Sequence, residues 1–338
     1  MTNVIHNIHS LIAKRSSNHK KENVAPSDFG KVAVLFGGRS SERAVSLQSG
    51  QNVLDVLLKK GIDAHAIDPD EHLAKTLYEG KFDRAFIVLH GKEGEDGVVQ
   101  GLLQMMGIPF TGSGVGPSAL AMDKPRAKLV MHSLGLATPI FGVAHTLEES
   151  ELLAQKLGFP ISVKPVAEGS SIGVTRVAQL SDLPNAFDKA AEYGEVMIEK
   201  WIDGKDFFVS VVGNDVYPSI EVHYPGDFYD YEAKYESDTT QYLCPAPISP
   251  EKENEVRQLA YKAFCALGCE GWGRIDLIQD PEGKFWVLEV NTIPGMTSHS
   301  LVPMSAKAAG IEFDDLVMGI LESTLKVTQS EHRVSVIA

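Results

Sequence analysis

Apolar residues come in short blocks along most of the chain, and the blocks alternate between strand and helix character. Lys31–Phe36 reads as a strand, Gly37-Gly38 as a turn and about Ala44–Lys60 as a helix. A strand at Ala64–Ile67, a helix at about Asp70–Tyr78, a strand at Arg84–Leu89 and a helix near Val98–Met106 follow. Strands alternating with helices require right-handed crossovers and a parallel sheet. The pattern therefore predicts a small doubly wound unit ending near Thr111-Gly112-Ser113-Gly114. Helices are expected over about Pro117–Leu134 and Leu147–Leu157. Strands follow at Ile161–Lys164, Gly173–Val177, Val196–Trp201, Phe207–Val212 and Val216–Val222, with Gly213-Asn214-Asp215 as a hairpin turn. A Tyr-rich loop (Asp227–Tyr242), a helix (about Pro250–Leu267), a hairpin within Gly271–Asn291 and a closing helical region from Ser298 complete the reading. No repeat of fixed period is present.

Residues 1–29 break this pattern. Lys14, Arg15, Lys20 and Lys21 precede the first acid, Glu22, and His6, Asn7 and His9 interrupt the apolar positions Val4, Ile5, Ile8, Leu11 and Ile12. No uninterrupted apolar core follows the positive charges, which argues against a signal peptide. The segment is expected to be a disordered basic tail, with a short amphipathic helix or an organelle-targeting segment as the competing readings. The expected division is 1–29 tail, 30–114 N-terminal α/β unit, 115–200 central unit and 201–338 C-terminal unit.

Composition narrows the function classes. The 338 residues carry 31 Lys and Arg against 45 Asp and Glu, a formal charge of −14. An acidic chain lacks the basic face that a nucleic-acid backbone needs, so no nucleic acid is expected as a partner. No apolar run approaches the roughly 20 residues that span a bilayer, so no membrane is expected either. Three cysteines, Cys244, Cys265 and Cys269, form no framework of spacings, which suits a reducing compartment and predicts no disulfide.

Several chemical signals can be tested on spacing. Gly37-Gly38 lacks the triple-glycine spacing of a dinucleotide site, and no Gly-Lys is followed by Ser or Thr, so a Walker A loop is missing. Gly169-Ser170-Ser171-Ile172-Gly173 fits the pattern of a hydrolase nucleophile elbow, which needs a helix directly after the serine. Val174-Thr175-Arg176-Val177 reads as a strand instead, so the segment is expected to be a glycine-rich flap whose N–H groups close over phosphate oxygens, with Lys164 nearby. In the Gly271–Asn291 hairpin, alternation puts Arg274 and Asp276 on one face and Glu289 with Asn291 on the partner strand. Either register of a turn on Asp280-Pro281-Glu282-Gly283 sets Asp276 opposite or diagonal to Glu289. Two carboxylates and an amide oxygen would converge beside one arginine, a donor set for Mg²⁺; the alternative is a polar outer face on an exposed hairpin. Gly295 and the serines Ser298 and Ser300 ahead of an apolar run suggest a helix N-terminus that holds an anion.

Together these segments resemble the D-alanine–D-alanine ligase family of the ATP-grasp fold, from Lys31 to about Leu325. The blocks are Gly37 to Arg43, Leu89-His90-Gly91 with Glu95-Asp96-Gly97, Met122-Asp123-Lys124, Lys164-Pro165 through Gly173, Asp230 to Tyr235, Gly271 to Asp276, and Glu289-Val290-Asn291-Thr292 through Leu301. The resemblance implies a mixed α/β chain with a doubly wound N-terminal unit and two further units whose sheets sandwich ATP. It implies joining of two D-alanines through a D-alanyl phosphate, for peptidoglycan precursors, in a cytoplasmic homodimer. It further implies that Lys124, Lys164, Ser171, Glu199, Lys200, Trp201, Ile202, Asp206 and Lys234 bind ATP, and that Asp276, Glu289 and Asn291 hold two Mg²⁺ ions, with Mn²⁺ able to substitute. Glu42, His90, Lys234, Tyr235, Arg274, Ser300 and Leu301 would bind the amino acids, and Glu42, Ser170, Tyr235, Arg274 and Gly295 would take part in catalysis. Asp206 departs from the family's usual glutamate at the ribose. Joining D-alanine to D-lactate or another acceptor is the nearest alternative, and a serine hydrolase using Ser171 is the rival from another class.

Overall fold

A computed structural model describes residues 24–226, 228–229, 239–297 and 299–325. Strands β1 (Lys31–Leu35), β2 (Asp63–Ile67) and β3 (Arg84–Ile87) form a parallel sheet in the order β2-β1-β3. The central strand is the most apolar of the three because both its edges and its faces are covered. Helices α1 (Arg43–Lys59) and α2 (Leu73–Gly80) make the crossovers, and α3 (Val98–Met105) follows.

The tail expected over residues 1–29 does not extend that far. Phe29 is fully buried in the first core and Val24 packs on it, while Pro26–Phe29 forms a 3-10 turn. Arg84 clamps this turn, its Nε donating to the Phe29 carbonyl at 2.5 Å and its guanidinium lying 5.7 Å from the ring centroid. Residues 1–23 lie outside the described residues.

The helix expected across 117–134 is two helices, α4 (Val115–Met122) and α5 (Lys124–Ser133). Asp123 leaves helical geometry, and its side chain accepts the Arg126 N–H at 3.0 Å, so it caps α5 with Pro125 in the first turn. Next come β4 (Phe141–Ala144), α6 (Leu147–Leu157), β5 (Ile161–Pro165), β6 (Thr175–Val177), α7 (Leu183–Ala191) and β7 (Val196–Lys200), which build an antiparallel sheet ordered β4-β7-β5-β6. The third sheet contains β8 (Lys205–Val212), β9 (Asp215–Val216), β10 (Ile220–His223), β11 (Gln241–Leu243), β12 (Trp272–Gln279) and β13 (Phe285–Asn291), in the order β11-β10-β8-β12-β13 with β9 beside β8. Pro218 divides the strand expected over Val216–Val222 in two. Helices α8 (Pro250–Ala266), α9 (Leu301–Ala308) and α10 (Phe313–Glu322) cover the sheets.

The cores do not follow the expected divisions of the chain. Ala121 of α4 and Ala127 and Met131 of α5 pack into the core of the third sheet. Val302, Leu316, Ile320 and other residues of α9 and α10 return to complete the core of the first. The first and third sheets are thereby held against each other, and the loop after β13 runs between them. Among the described residues no helix is long and apolar enough to cross a membrane.

Candidate active site

Two adjoining cavities open where the three sheets meet. One of about 240 Å³ lies between the second and third sheets and one of about 470 Å³ between the first and third. Lys124, Glu168, Gly169, Tyr229 and Glu289 line both, so the cavities share a junction. Lys164, Ser171, Glu199, Lys200, Trp201, Ile202, Asp206 and Asp276 line the smaller one. Glu42, His90, Ser170, Arg274, Asn291, Gly295, Ser300 and Leu301 line the larger one. Lys234 and Tyr235 lie outside the described residues, as does Ser298.

The flap joins antiparallel strands β5 and β6, and no helix follows Ser171, so the nucleophile-elbow reading fails. Ser170 and Ser171 both have positive φ, +49° and +58°. Each costs roughly 1–2 kcal/mol for an L-residue, strain of the kind found where geometry serves a site. The turn aims the Ser170 hydroxyl across to the first unit, where it donates to Glu42 Oε1, while Ser171 donates to the Tyr229 carbonyl at 3.1 Å. Glu42 sits in a seat made of backbone. A Cβ on Gly91 or on Gly169 would lie 2.9 Å from its Oε2.

His90 lines the cavity, but its ring serves the fold. Nδ1 donates to the Ile293 carbonyl at 2.8 Å, which leaves Nε2 to accept from the Ser49 hydroxyl at 3.3 Å. Ser49 in turn accepts the Met296 N–H at 3.0 Å. This chain pins the loop that carries Gly295 to helix α1. Glu95, 3.6 Å from His90 Nδ1, is mostly shielded from solvent, and desolvation pushes its carboxyl up to about 6 against the pull of His90.

On the hairpin, Asp276 pairs directly with Glu289 and Arg274 with Asn291. Arg274 forks Asp276, with Nε to Oδ1 at 2.6 Å and Nη2 to Oδ2 at 2.8 Å. Asn291 Oδ1 accepts the Ile293 N–H at 3.0 Å, which orients the amide oxygen. Two facing carboxylates and one amide oxygen are hard donors too few for a closed cage. That suits Mg²⁺, which keeps water and takes phosphate oxygens. Among the described residues no group of three or more His, Cys, Asp or Glu side chains could hold a metal.

Lys124 opens α5 and donates to the Glu168 carbonyl at 2.5 Å, with Glu289 Oε2 3.5 Å away. Lys164 donates to Glu199 Oε2 at 2.6 Å. The Lys200 ammonium turns away to the Gly158 and Phe159 carbonyls, at 2.9 and 3.3 Å, so a contact to nucleotide from this residue falls to its backbone. Asp206 accepts the Tyr224 hydroxyl. Ser300 accepts the Thr297 N–H at 2.9 Å, and a Cβ on Gly295 would meet its hydroxyl at 2.8 Å. Lys128, Ser49 and Glu168 are contributors that the sequence reading passed over. Their only signal was position: Lys128 stands one helical turn after Lys124, and Ser49 lies on the buried side of α1.

Comparison with known proteins decides the family. The family described as D-ala D-ala ligase C-terminus matches residues 131–322, more than half of the chain, and D-ala D-ala ligase N-terminus matches residues 68–113. The chain belongs to the D-alanine–D-alanine ligase family. It is 52% identical over 302 residues to a D-alanine–D-alanine ligase of Ectopseudomonas mendocina, covering 89% of this chain and 96% of that one. Among solved structures, a D-alanine–D-alanine ligase from Bacillus anthracis superposes with a TM-score of 0.79 at 36% identity, covering 88% of this chain and 98% of that one. One from Bacillus anthracis complexed with ATP superposes at 0.75 and 33% identity, covering 88% and 98%. The three-sheet arrangement is therefore the ATP-grasp fold of the ligase family.

Proposed function

We infer that the chain joins two D-alanines to D-alanyl-D-alanine with release of ADP and phosphate, for cell-wall precursors. The observation that carries this reading is the shared junction of the two cavities, where Lys124, the flap and Glu289 border both. ATP would lie in the smaller cavity and the amino acids in the larger, so the γ-phosphate would meet a carboxylate at the junction. The first D-alanine carboxylate attacks the γ-phosphorus, and ADP leaves with the bridging oxygen. The second D-alanine's amine attacks the carbonyl carbon of the resulting acyl phosphate, phosphate departs with the electron pair of the bond from that carbon to the bridging oxygen, and the amine loses a proton. Catalysis of such transfers is positioning and electrostatics.

In this reading Glu42, held by Ser170 and its glycine seat, takes the first ammonium. Lys124 and Lys164 bind phosphates, and Glu199 with the backbone of Lys200, Trp201 and Ile202 faces the base. Asp206 serves the ribose, with Tyr224 extending its reach. Arg274 and the Gly295 N–H stabilise the oxyanion as charge develops. Ser300, seated by Gly295, takes the second carboxylate, beside Leu301. Asp276, Glu289 and Asn291 would hold Mg²⁺, which would neutralise charge on the transferring phosphoryl group. Lys234 and Tyr235, in the loop of the family motif, would contribute to the acceptor site.

Because ATP and free D-alanine are its substrates, this reading makes the enzyme cytoplasmic, and it includes a homodimer that sedimentation velocity can check. The decisive experiment is coupled ADP release with D-alanine, L-alanine, D-lactate and D-serine. ADP release with D-alanine alone supports the reading. Release that needs D-lactate or D-serine beside D-alanine would move it to another acceptor. Ester hydrolysis without ATP would overturn it.

A further inference from the structure

Beneath the nucleotide cavity lies a charge that no step above uses. Lys128, on α5, is fully buried. Its ammonium donates to Thr138 Oγ1 at 2.7 Å and to the Val287 carbonyl at 3.4 Å, and the Thr138 hydroxyl donates to that same carbonyl at 2.8 Å. The remaining neighbour is Glu199, whose Oε1 lies 2.5 Å from Lys128 Nζ while its Oε2 accepts from Lys164. One buried carboxylate is thus bridged between a lysine under the floor and a lysine in the cavity wall. The contacts also tie α5 and β13 to β7, the strand that carries Glu199.

A buried ammonium costs several kcal/mol in desolvation, and an apolar side chain of similar length would fill the space at lower cost. Packing therefore does not explain a lysine here. Charge does. Lys164 and Glu199 alone form a neutral pair, and a neutral pair has little attraction for a triphosphate. Adding Lys128 leaves the trio with one net positive charge, and the only member of the trio that both faces the cavity and carries that sign is Lys164.

We propose that Lys128 is a positioning residue for nucleotide binding: it neutralises Glu199 from below the cavity, so that Lys164 keeps its positive charge toward the phosphates. Burial draws the Lys128 ammonium down to about 8 while Glu199 opposes that fall, and the carboxylate, hydroxyl and carbonyl oxygens around Nζ favour its charged form. Burial alone would push Glu199 up, but Lys128 and Lys164 together hold it below the ordinary carboxylate range. The proposal rests on the ATP reading of the smaller cavity.

The test uses the full chain at pH 7 and two probes that separate phosphate from base, inorganic tripolyphosphate and adenosine, with dissociation constants read by calorimetry. Lys128→Met should weaken ATP and tripolyphosphate by about tenfold, the effect of one unit charge over roughly 10 Å at an effective dielectric of about 20, and leave adenosine within about twofold. Lys128→Met with Glu199→Gln restores the net charge and should return tripolyphosphate to within about twofold of wild type, a departure from additivity that a purely structural role would not produce. Unchanged tripolyphosphate affinity in Lys128→Met, or equal losses for tripolyphosphate and adenosine, overturns the proposal. If Lys128→Met fails to fold, the double variant decides, and a tenfold loss of tripolyphosphate there also overturns it. A wild-type chain that binds neither ATP nor tripolyphosphate would instead sink the ATP reading itself.

Discussion

Gly169→Ala tests whether the seat of Glu42 matters to chemistry or only to folding. The backbone of Gly169 is not in the left-handed region, so alanine fits its conformation without strain. The new Cβ would stand 2.9 Å from Glu42 Oε2 and 3.3 Å from Oε1. Ordinary contact requires about half an ångström more, and the carboxylate is the soft partner because it ends a flexible side chain. Moving it strains or breaks the charge-assisted hydrogen bond from Ser170. A bond of this class is worth roughly 1.5–3 kcal/mol, so kcat/KM for the first D-alanine should fall roughly 10- to 100-fold. ATP affinity should hold, because the lysines and Glu199 are untouched. Initial rates at varied D-alanine, with ATP binding read by calorimetry, measure both. Gly91→Ala is the control of opposite character. Its Cβ also lies 2.9 Å from Oε2, but its φ of +70° adds roughly 1–2 kcal/mol of backbone strain, so this variant should lose thermal stability as well. Wild-type kcat/KM for D-alanine in a folded Gly169→Ala protein would refute the role of the seat.

Phe29→Ala should cost about 3–5 kcal/mol of stability, since it empties a fully buried aromatic site, and calorimetric melting checks it. Glu289→Gln should leave the fold intact but depress phosphoryl transfer, and the variant should need more Mg²⁺ for the same rate; wild-type turnover at ordinary Mg²⁺ would count against its place in the ion's donor set. Arg274→Ala should lower kcat by roughly 10²–10³ with a smaller change in the KM for D-alanine, because its partner charge grows in the transition state. For Glu95, the folded carboxyl near 6 stands above its ordinary 4.5, so stability is lost as pH rises through that window, on the order of 2 kcal/mol in full above it. Glu95→Gln should therefore stabilise the protein above about pH 6 and not below 4.5, as melting temperatures across pH 4.5 to 8 will show.

What the sequence revealed was set by range along the chain. Alternation and a short turn made Asp276 opposite or diagonal to Glu289 legible from a window of about twenty residues, and the fold sets the two directly opposite. The flap was legible for the same reason, since a strand after Ser171 excludes the elbow. Phe29 was misread because its place depends on the folded first core and on Arg84, more than fifty residues away, while the residues just before it are mostly polar. The break at Asp123 carried a local signal, an N-cap aspartate two residues before proline, which apolar content on both sides concealed. Lys128 carried no sequence signal beyond helical spacing, because its partners come from three separate segments beyond its own helix: the stretch at Thr138, β7 and β13.

The charged groups of the junction show one further regularity. Lys124 neighbours Glu289, Lys164 is paired to Glu199, and Arg274 is forked by Asp276. Among the described residues, Lys124, Lys164 and Arg274, the cations that the ligase reading sets toward a phosphate or an oxyanion, thus each have a carboxylate beside them, and two of those carboxylates are the ones assigned to Mg²⁺. Such pairing holds long side chains in one geometry, which lowers the entropy lost on binding. It also makes the cations and the divalent ion interdependent. A divalent ion held by Asp276 and Glu289 would compete with Arg274 and Lys124 for these carboxylates, which would weaken the internal pairing and leave both cations more available to a polyanion. Phosphate affinity and metal affinity should then rise together, each ligand raising the other's binding by the same factor. Glu199 is the exception, since it lies off the hairpin and its compensation comes from Lys128. Lys124 and Lys164 are therefore governed by different partners. The strength of Lys124 would depend on an ion held at the hairpin, and that of Lys164 is set by Glu199 and Lys128 within the folded chain.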